Sequence, residues 1–181
     1  NCWSVTATTQ PVAFPRCPWA VDLSTKPFPT ALDQLGKWFW ESGFSRDPIT
    51  EVERMRDTNF RGMYGAWDCL KNVKNLYPNH KLNWAAYIAG KRESRRLMGD
   101  HLLTKDDLKN SVAYPDGCVP TGWSIDLHLA DPKYNKGVEE DPFISYVASR
   151  FEEYKRPYWV PYRCLYSRNI GNLFMAGRNI S

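Results

Sequence analysis

Asn169-Ile170-Gly171-Asn172-Leu173-Phe174-Met175-Ala176-Gly177-Arg178-Asn179-Ile180-Ser181 reads as a turn, a short strand and a glycine–arginine stop. Asn169 to Asn172 make the turn. Leu173 to Ala176 is an apolar run of the length of a buried strand. Gly177 opens the backbone to a ligand, because no Cβ stands in the way. Arg178 then supplies a fixed fork of donors suited to phosphate or carboxylate. The same pattern also describes a core strand that ends in a turn with a solvated arginine.

Upstream of it, Tyr158 to Tyr166 reads as a strand, with Pro161 marking an edge or a bulge. Ile144 to Glu153 reads as a helix, and residues 131 to 142 as a charged loop. Trp123 to Leu129 alternates. Trp123, Ile125, Leu127 and Leu129 share one face of a strand; Ser124, Asp126 and His128 share the other. A carboxylate two residues from a histidine on one face can orient the imidazole, although a polar strand face equally serves as a solvated surface. Thr104 to Asp107 caps a short helix with an acidic first turn. Lys91 to Asp100 is a basic block, too short and too interrupted by Glu93 for a nucleic-acid patch, and reads as a solvated face.

The longest helix opens at Asp47-Pro48, with Thr50 and Glu53 as a second capping signal, and Pro78 ends it. Gly62 and Gly65 weaken its middle or let another backbone come close. Leu82 to Ala89 can form a second helix. Lys37 to Gly43 reads as an aromatic strand with Trp38 and Trp40 on one face, serving a substrate pocket or a packed core. Residues 3 to 8 form a strand, and Val12 to Phe14 can pair back onto it. Prolines at 15, 18, 27 and 29 make the next segment irregular, with Trp19 as its anchor. The fold class expected is α+β: a mixed sheet of short strands carrying a long helix and several shorter ones. No linker divides the 181 residues, which read as a single domain.

Hydrophobic content of 43% and charged content of 24% are those of an ordinary globular chain. No apolar run approaches the ~20 residues of a membrane span. A net charge of +4 is too mild to indicate nucleic acid. The five cysteines are widely spaced, without Cys-x-x-Cys, and indicate no metal site. Eight Trp, ten Tyr and eight Phe are the compositional excess, and aromatic walls suit a flavin or a sugar as well as a core.

Several stretches together resemble the FAD-dependent oxidoreductase family with a two-dinucleotide-binding-type flavin domain. They are Gly90 to Asp100, Leu103 to Asp107, Trp123 to His128, Trp159 to Tyr166 and Asn172 to Ser181, which spread over about residues 85 to 181 in the family's order. The first eighty residues match more loosely. The family's Gly-x-Gly-x-x-Gly turn does not occur here. The chain is therefore expected to be a substrate-side domain excised from a larger flavoenzyme, with the FAD-binding domain of the same polypeptide as its partner and a small organic molecule as substrate. It is expected to be inactive alone and not to hold FAD by itself. The absence of a starting methionine and of a signal-peptide pattern suits that reading.

The resemblance implies hydride transfer between substrate and flavin. It implies a base that takes up the accompanying proton, for which His128 ordered by Asp126 is the candidate, with His101 next and His80 last. It implies cofactor contacts at Gly177, Arg178, Ser181, Arg95 and Arg96, with Glu93 paired to one of the arginines. Substrate contacts are expected at Arg163, Trp123 and Trp40. The rival readings are a non-catalytic carbohydrate-binding module, from the tryptophans, and an interaction domain.

Overall fold

Helix α1, Val52–Asp68, is the longest element and the one against which the first part of the chain packs. Asp47 does cap a turn, its carboxylate accepting from the N–H groups of Ile49 at 2.7 Å and Thr50 at 3.3 Å, but the α-helix proper starts one turn later. A π-turn over Cys69–Val73 extends it. Asn75 and Tyr77 then take positive φ, so the stop comes from left-handed backbone just ahead of Pro78. Gly62 and Gly65 allow close approach: a Cβ at Gly62 would overlap the Phe143 ring, and one at Gly65 the carbonyl oxygen of Val21. The computed structural model describes residues 2–91, 95–123, 125–150 and 157–181.

Among the described residues, six short strands accompany the helices: β1 (Trp3–Ala7), β2 (His80–Ala85), β3 (Gly117–Thr121), β4 (Ile125–Ala130), β5 (Ser145–Arg150) and β6 (Tyr158–Pro161). The α+β class expected from the sequence holds. The strands, however, pair two by two instead of forming one mixed sheet: β1 with β2 and β3 with β6, both antiparallel, and β4 with β5. Helix α2, Lys105–Lys109, carries the expected capping box between Thr104 and Asp107.

Four local expectations are corrected. Residues 82 to 89 do not form a helix; Leu82 to Ala85 belong to β2, where Val5 stands opposite Leu82 and Trp3 opposite Ala85. Residues 145 to 150 are a strand paired with β4, so the helix expected from Ile144 begins as β5; its remainder falls outside the described residues. Lys37 to Gly43 is a turn segment whose exit is Gly43 at φ 85°. Val12 does not pair back on β1, and its N–H donates to the Pro78 carbonyl instead. In each case a tertiary partner outweighs local propensity.

Two compact units emerge, Asn1–Lys91 with His128–Tyr146, and Arg92–Leu127 with Val147–Ser181. Each is built from two separate stretches, and the chain changes unit within β4 and again within β5. A boundary crossed in mid-strand leaves no Pro/Gly-rich linker to see in the sequence. The first unit has a core of Trp3, Leu23, Phe28, Trp40, Met63, Trp67, Leu70, Phe143 and Ile144, with Trp3 and Trp40 edge-to-face at 5.2 Å. In the second, Leu97, Val160, Pro161 and Cys164 are buried apolar residues.

Candidate functional site

In the first unit, the turn segment 37–43 delivers Glu41 to β4. The Ser145 N–H donates to the Phe39 carbonyl at 2.8 Å, fastening the segment to the start of β5. His128 Nδ1 lies 2.6 Å from Glu41 Oε2, and the Ser145 hydroxyl donates to the same oxygen at 2.7 Å. Ser145 is buried, and the His128 and Glu41 side chains are about one-fifth exposed. The Trp38 ring packs on the imidazole with centroids 5.1 Å apart. An ionised carboxylate only accepts hydrogen bonds, so this contact places a proton on Nδ1. In the neutral ring, Nε2 is then the basic nitrogen.

The sequence reading gave the orienting role to Asp126. Asp126 is exposed on β4, and the carboxylate that meets Nδ1 comes from Glu41, 87 positions away. Ser124, the third member of that strand face, lies outside the described residues. On β4 only part of the polar face turns inward, since Asp126 is exposed and His128 is not. His128 faces protein, while Leu127 and Leu129 are each 43% exposed and Trp123 77%. Trp40 sits in the core at 1% exposure, its indole N–H donating to the Gln34 carbonyl. His80 packs edge-on against Tyr77 in the same unit.

In the second unit, the basic block and the terminal stretch lie side by side. The Leu97 N–H donates to the Asn179 carbonyl at 2.7 Å, and Asn179 Nδ2 donates to the Arg95 carbonyl at 2.9 Å. A Cβ at Gly99 would press on the Arg163 carbonyl and on Ser181. Gly177, Arg178, Ser181, Arg95 and Arg96 are therefore brought to one region; Glu93 and Arg92 fall outside the described residues. Gly177 has φ 70° and open space where a Cβ would stand. Arg95, Arg96 and Arg178 are exposed, and the buried hydroxyl of Ser181 has no hydrogen-bond partner among the described residues. The stretch 173–176 is not the buried strand expected. Phe174 makes a single bridge to Tyr166 and is 58% exposed.

Arg163 grips Asp116 through Nε at 2.9 Å and Nη2 at 3.1 Å, and this guanidinium holds the Asp116 carboxyl below its ordinary value. Its fork is thus engaged within the protein. His101 Nε2 lies 3.0 Å from the Tyr114 hydroxyl and 3.5 Å from Asp107. Burial, then the bond to Asp107, pushes the Tyr114 hydroxyl up from 10.0 to about 12. Above pH 10 an unfolded Tyr114 ionises while the folded one keeps its proton. Its stabilising contribution is therefore full below pH 10 and is lost as pH rises to about 12. Denaturant titrations across that interval should show a smaller loss of stability in Tyr114→Phe than in the wild type.

Cys17, Cys69 and Cys164 are buried, and burial raises each thiol above its ordinary value. Among the described residues no group of three His, Cys, Asp or Glu could hold a metal ion, and no helix is long and apolar enough to cross a membrane.

No curated protein and no solved structure gives a significant match. A family model described as FAD dependent oxidoreductase matches residues 25–181, which takes in both the Glu41–His128 pair and the Gly177–Arg178 turn. With a match over most of its length, the chain belongs to the FAD-dependent oxidoreductase family.

Proposed function

We propose that this chain supplies the substrate side of an FAD-dependent oxidoreductase, with His128 as the group that exchanges the proton accompanying hydride transfer. The observation that carries this is the 2.6 Å bond from Nδ1 to Glu41, braced by Ser145. A carboxylate on Nδ1 fixes the ring and stabilises the imidazolium that forms when Nε2 takes a proton. Trp38 packs against the imidazole with its ring inclined by 52°. Trp123, 77% exposed, is an aromatic surface able to meet a substrate. His101, engaged with Tyr114 and Asp107, is less suited to the role.

The flavin, when bound, accepts or returns the hydride. The residues of the second unit fit such a group: three exposed guanidinium groups, a glycine with open space at its α-carbon, and a buried hydroxyl without a partner. Arg178, Arg95 and Arg96 would hold anionic oxygens, and the Ser181 hydroxyl would gain a polar partner. In the larger flavoenzyme of which this chain is the substrate side, Arg178→Ala should weaken FAD binding about 10–100-fold, the cost of one hydrogen bond to a charged group. Bound FAD, released by denaturation and quantified per mole of protein, reads this directly. Full FAD occupancy in Arg178→Ala and in an Arg95→Ala/Arg96→Ala double variant would remove this region from the cofactor site.

A further inference from the structure

Between α1 and β2 lies a groove of about 840 Å³, formed wholly within the first unit and sharing no residue with the Glu41–His128 pair. Its size is that of a small-molecule site, for which about 300–1,000 Å³ is usual. Helix α1 contributes Phe60, Arg61 and Tyr64; Trp84 and Tyr87 come from β2 and the residues after it, and Trp19 from the proline-rich segment. Trp3, Trp40 and Trp67 fill the core at 2% exposure or less, whereas Trp19 is 52%, Trp84 53% and Tyr87 70% exposed. Trp19, Trp84 and Tyr87 are thus exposed rings that meet in one concavity. Trp19 is inclined to Tyr64 by 50° and Phe60 to Tyr87 by 38°, so these groove rings do not cover one another face to face. Trp19 and Trp84 remain available to stack on a guest ring.

Two charged residues of α1 line the groove, Asp57 and Arg61, and Asp57 is already paired with Arg56. Arg56 lies 4.7 Å over the Tyr87 ring and pairs with Asp57 and with Glu53. Arg61 is exposed and makes no ion pair among the described residues. One uncommitted guanidinium beside aromatic walls selects an anionic group attached to a flat ring. A single planar fork matches a carboxylate, while a phosphate dianion calls for further cations. We propose that this groove binds a planar aromatic carboxylate, its ring stacked on the aromatic walls and its carboxylate held by Arg61.

The test is calorimetric titration of the 181-residue chain with 2-naphthoate and with its neutral analogue 2-naphthalenemethanol. Saturable one-to-one binding of 2-naphthoate is expected with a dissociation constant below about 1 mM. The neutral analogue, and 2-naphthoate on Arg61→Gln, should bind at least about tenfold more weakly, as the loss of one hydrogen bond to a charged group requires. Trp84→Ala should weaken binding as well. Because Arg61 is exposed, Arg61→Gln keeps the test decisive even where Trp84→Ala lowers stability. Absence of saturable 2-naphthoate binding overturns the proposal. So does equal affinity for the neutral analogue, or wild-type affinity in Arg61→Gln. Saturation by cellotetraose without binding of 2-naphthoate also overturns it and marks a sugar site.

Discussion

Replacing His128 with alanine should slow reduction of the bound flavin by substrate about 10²–10⁴-fold, the range lost when a general base is removed. FAD content should stay at the wild-type level, because His128 is not among the residues assigned to the cofactor. The expectation rests on the ring's fixed position. Glu41 holds Nδ1, Ser145 holds Glu41, and the Phe39 carbonyl holds Ser145 through the backbone. A base held in one tautomer needs no reorientation when a proton arrives. Rapid mixing of each flavin-loaded variant with substrate, after bound FAD is quantified, separates loss of chemistry from loss of cofactor. Wild-type reduction rates in His128→Ala would return β4 to the status of a structural strand.

Trp40→Ala should act on stability, lowering it by about 3–5 kcal/mol, as large core aromatics do when truncated. Against a typical total of about 5–15 kcal/mol, that is enough to unfold a marginal domain. Trp40 is 1% exposed, meets Trp3 edge-on at 5.2 Å and lies nearly parallel to Phe143 at 6.4 Å. No ring so enclosed can touch a substrate without a rearrangement of the core. Equilibrium denaturation measures the loss. A variant as stable as the wild type but with a raised KM would instead restore Trp40 to the substrate pocket, where the sequence reading placed it.

Much of the frame was legible in the sequence. The existence of α1 follows from Asp47, Pro48 and the apolar spacing after them, and its glycines mark two close approaches. The alternation around Trp123 to Leu129 shows a strand, as the structure confirms, but alternation cannot say which side faces protein. Leu82, Ala85, Ala86 and Ala89 stand at helical spacing, yet the open edge of β1 draws this segment into β2. A short apolar run is ambiguous between helix and strand until its partner is known. Glu41 was hidden for a stronger reason. No local pattern ties it to a histidine 87 positions later, and only the folded turn segment makes the pair. The neighbourhood of Arg95 with Gly177 to Ser181 was indicated by the family resemblance alone, since spacing does not bring distant loops together.

The central claim is that Glu41 and His128 work as one proton-exchanging unit, and a double-mutant cycle on flavin reduction tests it most directly. Glu41→Gln should slow reduction, His128→Ala should slow it more, and the double variant should be no slower than His128→Ala alone. Residues that act as a unit are non-additive in this way. Measured on protein of equal FAD content, additive losses in the double variant would contradict the account and make the Glu41 contact a structural one.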